Sequence, residues 1–219
     1  MENKNLLFLG DIHGHVKYLP NTQGVILPPR DIYQLGDFGF LNEGVIGKTP
    51  IEQLALPPSL KFIRGNHDHP SAARSHPAYL GDFGVDTNGV GFISGGMSVD
   101  QQFRTAGVDW WPEEELSFQE LDQAVDLITS LKPRVIITHV APPSYEYHLV
   151  KFPKTSRTAQ ALGAILDIWQ PEMWLCGHYH FNDNKKIGKT LFCCVGEHRS
   201  LALTMTEATV SCRDFLFLE

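Results

Sequence analysis

Five short clusters hold most of the side chains in this chain that could do chemistry. They are Asp11 and His13 in GDIHGH, Asp37 in GDFGF, Asn66, His67 and Asp68 in RGNHDH, His139 in THVAPP, and His178 and His180 in GHYH. Carboxylate, imidazole and amide oxygen are all represented, and thiolate is not. That donor mixture suits Mn, Fe or Zn, rather than Ca, which takes oxygen throughout, or a structural Zn, which takes Cys. Residues two apart on an extended segment face the same side, so Asp11 with His13, and His178 with His180, can each aim two donors at one point. Taken singly, each has a plainer use: an Asp can cap a helix, and a lone His behind VIIT can be satisfied in a core. Their joint occurrence argues for a shared cation site.

Each cluster stands directly behind a short apolar run, at residues 6–9, 32–35, 60–63, 135–137 and 173–176. Runs of this length, rich in Ile, Val, Leu and Phe, suit strands buried on both faces. In open α/β sheets ligands bind beyond the carboxyl ends of the strands, so the five clusters are expected to converge on one crevice. Between the strands the pattern predicts helices. One starts at Ser117, where Ser117 and Glu120 form a capping box, and runs through Leu121, Val125, Ile128 and Leu131 to Lys132 and Pro133. A second is expected over residues 156–169, with Ala161, Ile165 and Ile168 inward. Residues 190–217 read as further strands with turns at Gly196 and near Glu207. Alternating strands and helices imply an α/β sandwich, taken as a single domain over residues 1–219.

The 219 residues are 42% hydrophobic and 20% charged, as in an ordinary globular protein. A formal charge of −7 argues against broad adhesion to nucleic acid or anionic membranes, so an anionic substrate would need locally supplied positive charge. The N-terminal apolar run is too short for a signal-peptide core, and nowhere do about 18 apolar residues run together, so a soluble, cytoplasmic protein without membrane contact is expected. Cys176, Cys193, Cys194 and Cys212 form no CxxC pair and read as buried reduced thiols, with Cys193 and Cys194 on opposite faces of a strand.

In this order, DxH at 11–13, GD at 36–37, GNHD at 65–68, His139 after Thr138 and GHxH at 177–180 resemble the motifs of the calcineurin-like metallophosphoesterases. The SGG…WWPEEE stretch at 94–115 is similar to a loop of small bacterial and phage-like members. The resemblance implies a four-layer α-β-β-α sandwich of two mixed sheets with a dinuclear site at the C-terminal ends of the strands. Carried over by position, Asp11, His13 and His180 would hold one metal, Asn66, His139 and His178 the other, and Asp37 would bridge them. Two metal ions, Mn, Fe or Zn with Mn the expected choice in vitro, would let a bridging hydroxide attack a small phosphate mono- or diester, a nucleotide among them. His67 would face the substrate and act on the leaving oxygen or the phosphoryl group, with Asp68 orienting its ring and raising its basicity.

Asn66, His67 and Arg104 are therefore expected at the substrate, with Arg64, Arg157 and Arg199 as further phosphate clamps. Over residues 94–117 a loop is expected to overhang the site. There Ser98 and the glycine pair could contact phosphate and Trp110 or Trp111 could stack on a base, or the tryptophans could pack on the core while Glu113, Glu114 and Glu115 begin a helix. His15, His69, His76, His148 and His198 fit no ligand position. Ser/Thr protein phosphatases of the same family carry GDxxDRG where this chain reads GDFGFLNEG, without the Asp and Arg, which weakens a phosphoprotein substrate. A phosphoprotein phosphatase and a non-catalytic scaffold of the same fold remain the alternatives.

Overall fold

The computed structural model describes residues 3–19, 31–40, 56–151, 153–154 and 156–217; the second half of GDFGFLNEG, residues 41–44, lies outside them. In chain order the elements are β1 (Lys4–Leu9), β2 (Asp31–Gln34), β3 (Leu60–Phe62), α1 (Pro70–Ser75), β4 (Phe83–Val85), β5 (Val90–Ile93), α2 (Phe118–Leu131), β6 (Val135–Thr138), α3 (Pro143–Leu149), α4 (Arg157–Ile168), β7 (Met173–Cys176), β8 (Asp183–Ile187), β9 (Thr190–Cys194), β10 (Arg199–Met205) and β11 (Val210–Phe217). They form two sheets, ordered β11-β10-β1-β2-β3 and β4-β5-β6-β7-β9-β8. Both are mixed: β1, β2 and β3 are parallel, as are β5, β6, β7 and β9, with antiparallel strands towards the edges.

Period-2 alternation explains the layering. Leu6 and Phe8 of β1 face the other sheet, where they meet Val135 and Ile137 of β6, Met173 and Leu175 of β7, and Cys193 of β9. Alternate residues face outward. Leu7, Leu9, Ile32, Leu60 and Phe62 pack under Phe38, Phe40 and Ala73 of α1, while Ile136, Trp174, Cys176 and Cys194 pack under α2, α3 and α4. Three apolar interfaces, one between the sheets and one outside each, make the expected four-layer α/β sandwich.

Ser117 caps α2 as its SxxE spacing predicts: its hydroxyl accepts from Glu120 N, and the Glu120 carboxylate accepts from Ser117 N at 2.8 Å. The apolar stripes end earlier than expected. Leu131 is 56% exposed because Lys132 turns left-handed and stops α2. Ile168, at 64%, faces solvent, while Trp169 packs against the outer cluster in its place and donates its indole N–H to Pro133 O. Cys193 and Cys194 do point to opposite clusters. All four cysteines are free, but Cys212 is exposed because it lies on β11, the edge strand. Among the described residues no helix is long and apolar enough to cross a membrane.

Candidate active site

The ends of β1, β2, β3, β6 and β7 deliver all seven expected ligands to one place. Asp11, His13, Asp37 and His180 bring donor atoms within 4.8 Å of one another, and so do Asp37, His139 and His178. Asp37 belongs to both groups. In the first, His13 Nε2 and His180 Nε2 stand 3.2 Å apart, and Asp11 Oδ2 lies 3.1 Å from His180 Nε2. In the second, Asn66 Oδ1 is 3.0 Å from His139 Nε2 and 2.9 Å from His178 Nδ1.

Local backbone geometry makes this convergence possible. His13, Asp37, His178 and His180 all have φ between 48° and 69°, the left-handed region that residues with a Cβ avoid. Four such residues among seven aimed at one spot are strain spent on orienting donors. Gly65 lets β3 run against Asp37, since a Cβ there would stand 2.1 Å from Asp37 Oδ1. Supporting bonds fix the rings and carboxylates. His139 Nδ1 lies 2.8 Å from the Leu35 carbonyl, which turns Nε2 towards the cluster. Asp11 accepts from His178 N at 3.0 Å, and Asp37 Oδ1 accepts from His67 N at 2.8 Å.

Carboxylates and imidazoles shift one another's protonation throughout the cluster. Burial would raise the Asp37 carboxyl, but His139, His67 and His13 around it hold it well below the usual carboxylate range. Burial disfavours the His139 imidazolium, yet Asp37, Asp11 and the Leu35 carbonyl outweigh it and push the ring up to about 9. His178 is driven down to about 3, first by burial and then by His139. His180 is raised by its bond to Asp11. Asp37 Oδ2 is buried with no hydrogen-bond partner. An ionised, unpartnered oxygen in this position is costly in a folded protein, and a cation would satisfy it. Carboxylate, imidazole and amide donors in two clusters sharing one carboxylate fit a pair of divalent ions.

His67 stands at the rim, its Nε2 4.0 Å from Asp37 Oδ2 and 3.3 Å from Arg104 Nη2. Arg104 has only donors to offer, so His67 Nε2 accepts and the ring is neutral with its proton on Nδ1. Burial, and after it Arg104 and the neighbouring histidines, lower the His67 pKa against the pull of Asp37.

Asp68 does not orient this ring or raise its basicity as expected. Its carboxylate is fully buried and accepts from four backbone N–H groups, those of Gly65, Phe38, Gly39 and Phe40 at 2.8–3.2 Å. It pins the β3 turn to the β2 turn, and Arg104 is the tuning neighbour of His67.

A family model for calcineurin-like phosphoesterases matches residues 4–182. The chain belongs to that family. Among solved structures, a protein from Staphylococcus aureus provisionally described as a 5′-nucleotidase aligns with a TM-score of 0.53 at 12% identity, over 99% of this chain and 54% of its own. A predicted phosphoesterase from Streptococcus pneumoniae aligns at 0.44 and 15% identity, over 99% and 91% of the two chains. Phosphopantetheinyl hydrolase from Mycobacterium tuberculosis aligns at 0.45 and 11% identity, over 89% and 90%. At these identities the likeness is one of fold. Comparison with curated proteins gave no significant match. Family membership supports a metal-dependent phosphoester hydrolase.

A cleft of about 510 Å³ opens from the phosphoesterase site. Asp37, Asn66, His67, His178 and His180 form its floor, and Val99, Arg104, Glu146, Val150 and Lys154 are among its walls. Arg104 reaches it while paired to Asp100 through two 2.7 Å bonds. Two of the other expected clamps are occupied elsewhere. Arg64 is fully buried and donates to Glu114 O at 2.6 Å, and Arg157 donates to the carbonyls of Leu116 and Glu115. Arg199 opens β10.

The overhanging loop follows the core-packing reading at Trp111 and departs from it at the glutamates. Trp111 packs in the core beside His69, with ring centroids 5.2 Å apart, rather than facing the cleft. Glu113, Glu114 and Glu115 start no helix, because Glu114 and Glu115 are buried acceptors, for Ser98 and for Thr158 N. Sequence reasoning missed Glu114, since nothing in a WWPEEE string distinguishes two inward carboxylates from a solvated one.

Proposed function

We propose that this protein is a dinuclear, divalent-metal-dependent phosphoesterase acting on a small phosphate mono- or diester, nucleotides included. The observation that carries this reading is Asp37: one carboxylate shared by two donor clusters, its Oδ2 buried and unpartnered. Asp11, His13 and His180 would hold one ion, Asn66, His139 and His178 the other, with Asp37 common to both. Mn is the expected activating ion in vitro, with Fe and Zn the other fitting choices. When bound, such a pair supplies Lewis acidity towards phosphoryl oxygens and a water acidified enough to act as nucleophile at neutral pH.

The chain's own residues supply the rest. Neutral histidine and amide donors leave the site net positive, which offsets a formal charge of −7 and attracts phosphate. Once a substrate displaces Arg104 from His67 Nε2, the neutral ring can take its other tautomer and donate the Nε2 N–H to a phosphoryl or leaving oxygen. Arg104, already paired to Asp100, would bind a phosphate oxygen without adding a full uncompensated charge. At about 510 Å³ the cleft lies within the size range of small-molecule sites. Free thiols are consistent with a reducing, cytoplasmic setting.

Hydrolysis of p-nitrophenyl phosphate and bis-p-nitrophenyl phosphate, with Mn added and after chelation, tests the reading. Metal-dependent turnover of either ester, lost in Asp37→Ala and His67→Ala, is expected. Absence of turnover under every condition would favour a non-catalytic scaffold.

A further inference from the structure

We infer that Ser98 and Glu114 form a buried relay that sets which end of the Asn66 amide faces the second cluster, making both of them positioning residues for metal binding. The inference rests on the dinuclear reading above. An amide side chain has two ends of nearly the same shape, of which only the oxygen can ligate a cation, while the NH₂ repels it. Asn66 is 1% exposed, so its protein neighbours bear on which end faces the cluster.

The decision is made by the loop after β5. Asn66 Nδ2 donates to Ser98 Oγ at 3.1 Å, and Ser98 Oγ in turn donates to Glu114 Oε2 at 2.5 Å. Ser98 N donates to the other Glu114 oxygen at 2.8 Å. Burial raises the Glu114 pKa and the two bonds from Ser98 oppose that rise; in its carboxylate form the group only accepts, and a hydroxyl has one proton. With that proton committed to Glu114, Ser98 Oγ offers Asn66 nothing but lone pairs, and only the NH₂ end can meet them. Asn66 Oδ1 is thereby left facing His139 and His178. All three relay residues are buried, Ser98 at 2% and Glu114 at 4% exposure.

The relay has a rigid footing. The Glu114 carbonyl accepts from Arg64 Nη1 at 2.6 Å and from Gly96 N at 3.2 Å. A Cβ at Gly96 would come within 2.5 Å of Val140 Cγ1 and 3.5 Å of His139 Cδ2, so the glycine presses this loop against a candidate ligand. That is the structural use of the SGG segment and of the fully buried Arg64.

Polarity makes the relay separable from packing. In Glu114→Gln the new amide oxygen can still accept from Ser98 N, but its NH₂ then donates to Ser98 Oγ. The Ser98 proton is released towards Asn66, where it favours the oxygen and turns the NH₂ to the second cluster. The size and shape of the side chain barely change.

The test is calorimetric titration of the metal-free full chain with Mn, with electron paramagnetic resonance at two equivalents. Wild type is expected to take up two ions that give a spin-coupled signal. In Glu114→Gln and Ser98→Ala the first ion should bind as before, the second about 10- to 100-fold more weakly, and the coupled signal should give way to that of isolated Mn. Ser98→Thr, which keeps the hydroxyl, should recover most of the second affinity. Unchanged affinity for the second ion in both variants, or equal weakening of both ions, would overturn the relay. If Glu114→Gln does not fold, the Ser98→Ala and Ser98→Thr pair decides alone. Fewer than two ions on the wild type would instead overturn the metal-centre reading itself, and the relay with it.

Discussion

At the scale of single residues, the site is a concentration of donors: Asp11, His13, Asp37, Asn66, His139, His178 and His180 converge from five strand ends, and their residue types marked them in the sequence. The partner of His67 was not legible, because adjacency in sequence is not adjacency in space. Asp68 follows His67 directly yet turns to four backbone N–H groups, while Arg104 reaches the ring from 37 residues away. Arg104 is among the charges that lower the His67 pKa, so removing it should raise that pKa. In Arg104→Met, an NMR titration of the His67 ring in the metal-free protein should show protonation moved to higher pH; a shift downward would assign the tuning elsewhere. His67→Ala should lower kcat by about 10²- to 10⁴-fold on esters with poor leaving groups, the usual scale for a proton-handling side chain. Mn uptake measured by calorimetry should be unaffected.

At the scale of elements, the strands that deliver the site were readable because they are buried on both faces and so are apolar throughout. The edge strand β8, Asp183–Ile187, reads DNKKI and gave no such signal: one edge is free and most of its side chains face solvent. Turn geometry was only partly readable. A glycine ahead of NHD is visible in the sequence, but not that Gly65 touches Asp37 itself. Gly65→Ala would place a methyl 2.1 Å from Asp37 Oδ1 and 2.4 Å from Asp37 N. It is expected to abolish two-ion uptake while circular dichroism remains native-like, since the clash falls on the site and not on the apolar interfaces. A remote element should behave oppositely. Ser117→Ala removes the α2 cap, at a cost of about 1 kcal/mol, or roughly 2–4 °C in Tm, with turnover unchanged.

At the scale of the whole molecule, the four-layer fold brings ligands from positions 11 to 180 around a centre that an acidic chain cannot otherwise make attractive to phosphate. Proton and cation should compete for that centre. In the metal-free protein, against burial, Asp37 and Asp11 push His139 up to about 9 from an ordinary 6.5, so its charge should stabilise that form fully below about pH 6.5, with the gain lost as pH rises through about 9. A cation needs the unprotonated ring, so it must displace this proton. The Mn-induced rise in Tm should therefore grow between pH 6.5 and 9, as followed by calorimetry; a rise independent of pH would place the ion away from His139. The most direct test of the proposed dinuclear centre is anomalous diffraction from crystals of the protein loaded with Mn. Two peaks are predicted, one among Asp11, His13, Asp37 and His180, the other among Asp37, Asn66, His139 and His178. A single peak, or ions bound away from Asp37, would contradict the account.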